Sequence, residues 1–188
     1  MGRKPNPKRR QELLAAVAAY LELHGLAGLS LRPLAAAVGV SPRTLLYHFE
    51  SKERLLAEAL NAAPSLDEAR REFAESSRAL FDRLRRLWKR TAEPSARPYL
   101  TLFFEVYAAA LREPERYSTF LGTVVEQWLD LLVPLLQAEG LAAPAARATA
   151  TELLALHHGC ALDLLASGDH RRVTSAYLLR LAELELAS

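Results

Sequence analysis

Residues 30–56 read SLRPLAAAVGVSPRTLLYHFESKERLL, and this stretch decides the fold. Ser30 stands where a helix N-cap accepts the orphan amides of a first turn. Leu34, Ala35 and Val38 then make a small apolar face at helical spacing. Gly39 supplies the left-handed residue that stops this helix. Val40 follows into the turn, Ser41 caps the next helix, and Pro42 takes its first position, where a missing N–H is no loss. Two short helices joined by a glycine turn predict a helix-turn-helix.

The second helix of the pair has two unlike faces. At 100° per residue Leu45 and Phe49 fall together and point into a core. Arg43 and Tyr47 lie opposite, with Thr44 and Leu46 on either flank and His48 toward the edge. An Arg can pair bidentately with guanine, a Thr can offer a methyl or hydroxyl, and a Tyr can reach a backbone oxygen. Ser51 caps a further helix with Lys52 in its first turn. A cation there opposes the helix dipole unless an anion is near, and a DNA phosphate is such an anion. The DNA-contacting set expected from this segment is Ser30, Arg32, Ser41, Pro42, Arg43, Thr44, Leu46, Tyr47, His48 and Lys52.

The run GVSPRTLLYHFESKERLL resembles the signature of the tetracycline-repressor (TetR/AcrR) family of bacterial transcription regulators, roughly G-V-S-x-x-T-L-Y-x-x-F-x-S-K-x-x-L. Gly39, Val40, Ser41, Thr44, Leu45, Phe49, Ser51, Lys52 and Leu55 stand where that pattern puts them. The family's tyrosine falls on Leu46, with an aromatic one place later at Tyr47. Among Leu46, Tyr47 and His48, the phosphate contact usual for that tyrosine passes to Tyr47 or His48. The resemblance implies a dimeric, ligand-responsive repressor of double-stranded DNA acting in the cytoplasm.

Composition agrees with this class. The chain has 188 residues, 51% of them apolar, and a formal charge of +2. Abundant Ala and Leu and scarce β-branched residues predict an all-α fold. The charge is uneven: residues 1–54 hold nine Lys and Arg against four acids, and the remainder fifteen against eighteen. A basic head on a mildly acidic body suits a DNA reader. Cys160 is the single cysteine, which excludes an internal disulfide and fits a reducing compartment. Neither a signal peptide nor a membrane span is indicated, so no membrane partner is expected. His157 and His158 are adjacent and diverge by 100° on a helix, so they cannot share one metal. Without a nucleophile elbow or a phosphate loop, no catalytic residue, cofactor or metal is expected.

Periodicity predicts nine helices in two domains: a three-helix head with a basic arm over residues 1–50, a linking helix over 51–64, and a bundle body over 65–188. The first helix runs from about Pro7 to His24 and ends at Gly25. Ser65 to Glu68 reads as a capping box opening the fifth helix, which extends to about Thr91. The sixth spans about Pro98–Leu111, and the seventh Pro114–Glu139, with Pro134 expected to kink it or force an irregular turn. The eighth spans about Pro144–Ser167, and the ninth runs from an Asp169 cap to near Leu186.

Aromatic residues gather on helices five to seven, where they read either as ordinary core or as the wall of an apolar cavity. The resemblance implies that these helices line an effector pocket, drawn from Phe81, Trp88, Phe103, Phe104, Tyr107, Phe120, Val124, Trp128 and His157. Glu105, Thr123, Glu126 and Gln127 are further polar candidates. An apolar or aromatic effector suits such a lining. The last two helices either complete a monomeric bundle or, as the resemblance implies, form a homodimer seam through Ala155, Leu156, Gly159, Cys160, Asp163, Leu178 and Leu181. The rival from another class is a helical ligand-carrier or interaction protein without operator binding.

Overall fold

Asn6, Ser41 and Ser51 each start a helix with a side-chain oxygen that accepts from backbone N–H groups of its first turn. The computed structural model describes residues 6–26, 29–63, 70, 71, 73, 74 and 79–187. The expected boundary at Pro64 and the capping box over Ser65–Glu68 lie outside the described residues. Ten α-helices occur among the described residues: α1 (Pro7–His24), α2 (Leu31–Ala37), α3 (Pro42–Phe49), α4 (Lys52–Asn61), α5 (Leu80–Thr91), α6 (Arg97–Arg112), α7 (Ser118–Thr123), α8 (Glu126–Ala138), α9 (Ala143–Ser167) and α10 (His170–Ala187). No strand occurs among them. Counting α7 and α8 as one interrupted element, this is the nine-helix order read from the sequence.

That interruption is a correction. Pro134 forces no irregular turn, since α8 runs through it from Glu126 to Ala138. The break falls at Val124 and Val125 instead. Gly122 and three β-branched residues in succession, Thr123 to Val125, are poor helix formers that lower the resistance to breaking there. Pro134 is exposed, so the defect it introduces in the backbone ladder can be met by water. The stretch Ser118–Ala138 is long and apolar enough to cross a membrane by length and composition alone, with a mean hydropathy of 1.3. Leu129, Leu132 and Leu136 within it are buried in the protein's own core.

Two compact units make up the chain, Met1–Glu68 with Thr101–Leu121, and Ala69–Leu100 with Gly122–Ser188. The sequence placed all of residues 65–188 in one body, whereas Thr101–Leu121 groups with the amino-terminal unit.

In the first unit α1 packs on α4 and α2, and α3 packs on α2 and α4. Leu13, Val17 and Leu21 of α1, Leu34 of α2, Leu45 and Phe49 of α3, and Leu55 and Leu60 of α4 are the buried anchors. Burying each such side chain contributes roughly 1.5–3 kcal/mol.

In the second unit α9 packs on α8 and α10, and α10 on α5. Its core holds Leu80, Phe81, Leu84, Leu132, Leu136, Leu153 and Leu181 around a stacked pair. That pair is Trp88 and Tyr177, with ring centroids 4.3 Å apart and planes 15° from parallel.

Candidate nucleic-acid interface

The turn between α2 and α3 is specified by its own backbone. Gly39 has φ of +72°, and its N–H donates to Ala36 while the Val40 N–H donates to Ala35. This pair of bonds is a Schellman closure, which needs the left-handed residue that glycine supplies without strain. The Ser41 hydroxyl accepts from the Thr44 amide at 3.1 Å, and Pro42 fills the first helical position. At α2 the expected cap is only half realised. Ser30 has the extended backbone of an N-cap, but its hydroxyl makes no capping hydrogen bond.

With α3 so started, its register fixes what faces outward. Leu45 and Phe49 are fully buried. Arg43 is exposed, Tyr47 is 51% exposed and Leu46 is 40% exposed. Ser30, Arg32 and Ser41 are also exposed, whereas Pro42 and Thr44 are half-buried.

Two predicted contact residues are less exposed than Arg43 and Tyr47. His48 is buried, with its Nδ1 lacking a hydrogen-bond partner, because it sits one residue before Phe49 and shares that helix's inner edge. Tyr47 therefore presents far more surface than His48 for a phosphate. Lys52 is half-buried, and its ammonium donates to the Leu29 carbonyl. That oxygen offsets the unfavourable position of a cation at a helix N-terminus.

Residues that sequence reading passed over hold α3 from behind. Arg10, in the first turns of α1, donates from Nε to the His48 carbonyl at 3.1 Å and pairs with Glu58 of α4. Its guanidinium also lies over the Phe49 ring. Glu58 in turn pairs with Arg54, which reaches Glu50. Glu50 closes α3 with φ of +68°, and the Ser51 N–H donates across it to the Phe49 carbonyl, a strained three-residue turn. Only the basic character of the first turn hinted at Arg10.

The aromatic residues expected to line a pocket fall into two groups. In the first unit Phe103, Phe104, Tyr107 and Phe120 form a ring network, with centroids of contacting pairs 5.1–6.4 Å apart. In the second unit Phe81 and Trp88 are core residues, Val124 is buried, and Trp128 meets Phe73 edge-on. The polar candidates have partners in the chain. Glu105 accepts from the Leu26 amide, Gln127 from Arg70, and Glu126 pairs with Arg147.

His157 belongs to a proton-ordered chain. The Thr91 hydroxyl donates to the Leu87 carbonyl, so it can only accept from His157 Nε2, 3.1 Å away. Nδ1 is then the bare nitrogen and accepts from the Tyr177 hydroxyl at 3.4 Å. Burial, with the neighbouring His158 a lesser cause, lowers the His157 pKa to about 3. Burial likewise pushes the Tyr177 phenol up.

Of the residues expected at a homodimer seam, Ala155, Gly159 and Leu178 are exposed and Leu156 and Cys160 half-buried. Asp163 is held by a bidentate pair with Arg172, at 2.7 and 2.8 Å. Leu181 is fully buried in its own unit's core, because it shares the inner face of α10 with Val173, Tyr177 and Leu184. It offers no surface to a partner.

Comparison with known proteins bears on α1 to α4 and on the whole fold. Residues 13–59 match the family "Bacterial regulatory proteins, tetR family". No curated protein matches the chain. A TetR-family transcriptional regulator from Rhodococcus sp. superposes with a TM-score of 0.73 at 26% identity, covering 94% of this chain and 98% of that one. The multidrug binding protein EbrR, complexed with ethidium, gives a TM-score of 0.67 at 28% identity, covering 94% and 99%. Its complex with imidazole gives 0.64 at 27%, covering 96% and 93%. The match over residues 13–59 makes the head similar to that of the tetR family of bacterial regulatory proteins, and the fold is shared with a TetR-family regulator along nearly its whole length.

Proposed function

We propose that this chain is a TetR-family transcriptional regulator, a repressor that binds a near-palindromic operator as a homodimer and answers to a small apolar or aromatic effector. The observation that carries the reading is the outer face of α3. Arg43, Leu46 and Tyr47 stand exposed on a capped helix whose Leu45 and Phe49 are fully buried. Such a helix presents base-reading and phosphate-reading groups together. Residues 1–50 read DNA, 51–64 link, and 65–188 hold the effector and the partner. As a DNA reader it works in the cytoplasm.

Gly159 supports the homodimer. A Cβ built there meets nothing within 4 Å, so no neighbour in the same chain requires a glycine in the middle of α9. It costs about 1 kcal/mol in helix propensity, which close approach by a second copy would offset. Leu162 and Leu179, exposed on the same two helices, extend that surface. The aromatic effector is supported by the ring network on α6 and α7 and by the ethidium that EbrR holds.

A gel shift with DNA from upstream of the protein's own gene tests the reading. A specific, two-fold-symmetric footprint at roughly nanomolar to ten-nanomolar affinity is expected. Binding no tighter than to random DNA would leave the ligand-carrier alternative. Ethidium, titrated into the DNA-free protein and followed by its fluorescence, is the probe of the effector site.

A further inference from the structure

We propose that Glu105 is a positioning residue for DNA binding, acting on Lys52 through the segment between α1 and α2. The inference rests on the DNA-binding reading above and adds a residue and a route to it. Three hydrogen bonds run in series. The Glu105 carboxylate of α6 accepts from the Leu26 amide at 3.0 Å. The Leu26 carbonyl accepts from the Leu29 amide at 2.9 Å. The Leu29 carbonyl accepts from the Lys52 ammonium. Leu26 and Leu29 each donate through the amide and accept through the carbonyl, so the backbone at both residues is held from two sides and the Leu29 carbonyl is placed for Lys52.

The two ends of this chain explain why it matters. Lys52 has three N–H donors, and one is spent on Leu29. The other two are held beside the first turn of α4, directly after the recognition helix, so a phosphate meets a cation already in place. At the other end Glu105 is an anion at the C-terminus of α1, where the helix dipole is itself negative. Gly25 ends α1 with φ of +67°, a left-handed backbone that glycine adopts without strain and that turns the chain out of the helix. The carboxylate is thus held by the Leu26 amide against an opposing dipole, a contact poised to break. Helix α6 begins with Arg97, four residues before the stretch that groups with the head. A displacement of α6 would reach Lys52 by this route without passing along α4.

The test is a double-mutant cycle on the full chain, with Glu105→Ala, Lys52→Ala and the pair, titrated against upstream DNA over a range of salt. Glu105→Ala should weaken binding about threefold to tenfold, the size of one hydrogen bond. It should also flatten the salt slope toward that of Lys52→Ala, by about 0.9 for each phosphate no longer neutralised. The pair should bind like Lys52→Ala alone, and Glu105→Gln, which keeps an acceptor, should recover most of the loss. Additive effects, or an unchanged slope in Glu105→Ala, would overturn the proposal. Amide exchange separates this failure from failure of the DNA reading. If wild type binds no DNA specifically, the regulator reading falls. Faster exchange at Leu26 and Leu29 in Glu105→Ala would still support the relay, and unchanged exchange would end it.

Discussion

The Arg10 guanidinium lies 4.7 Å from the centroid of the Phe49 ring, so α1 grips the recognition helix by its last buried residue. The same group donates to the His48 carbonyl and pairs with Glu58, which joins three helices at one side chain. Arg10→Ala should destabilise the head by about 2–4 kcal/mol, because a charged hydrogen bond and a cation–π interaction disappear together. Arg10→Lys should restore less than half, because an ammonium lacks the planar fork. Urea unfolding followed by circular dichroism measures both. A change under about 0.5 kcal/mol for Arg10→Ala would contradict the clamp.

Arg43→Ala separates recognition from folding. Its side chain is exposed, so the unfolding midpoint should stay where it is. Operator affinity should fall by about 1–3 kcal/mol, with preference relaxed at one base pair. Competition binding against single-base operator variants reads this directly. Unaltered affinity and preference would remove Arg43 from the groove.

Gly39→Ala examines the turn itself. With φ of +72°, a Cβ is strained there even though no atom lies within 4 Å of it. A loss of about 1–2 kcal/mol is expected in thermal or urea unfolding.

His157 should make stability depend on pH in a defined window. Its folded pKa of about 3 lies below the ordinary 6.5. Below pH 6.5 the unfolded chain therefore takes up a proton that the folded chain refuses. The contribution is fully present above about 6.5 and is lost as pH falls toward 3, by up to about 1.4 kcal/mol per unit. His158 is lowered too, by burial, and adds in the same direction. His157→Gln should flatten the fall in urea midpoint between about pH 6 and 4. Identical slopes in both proteins would reject the buried neutral imidazole.

Gly159→Leu distinguishes a seam from an idle surface. Within one chain a Cβ at this position meets nothing within 4 Å, and the substitution replaces glycine by a better helix former, a gain of roughly 0.7–1 kcal/mol. If α9 faces a second copy, the same change should convert the dimer to monomer in sedimentation. A variant that stays dimeric would place the seam elsewhere.

The head was legible because its signals are local. Gly39, Ser41, Pro42 and Ser51 each answer to bonds within five residues, so spacing alone located α2, α3 and the start of α4. The outward turn of Arg43 and Tyr47 followed from helical period. His48 was misplaced because a residue at the edge of a helical face is assigned by its neighbours, and Arg10 supplies one of them from α1. The backbone partners of Lys52 and Glu105 went unread because they lie 23 and 79 residues away and carry no sequence signal. Leu181 and Tyr177 were similarly hidden, since an apolar stripe on α10 looks alike whether it faces its own chain or another. The break at Val124 shows the opposite weighting, in which three β-branched residues outweighed an obvious proline.

The reach of Glu105 into the loop after α1 has a practical side for anyone grafting reader modules between regulators. A fragment cut before Pro64 keeps its cap, its turn and its Arg10 clamp, yet leaves the Leu26 amide without its acceptor. The exchangeable part is discontinuous in the gene, and a chimera should carry residues 101–121 along with the first sixty-eight.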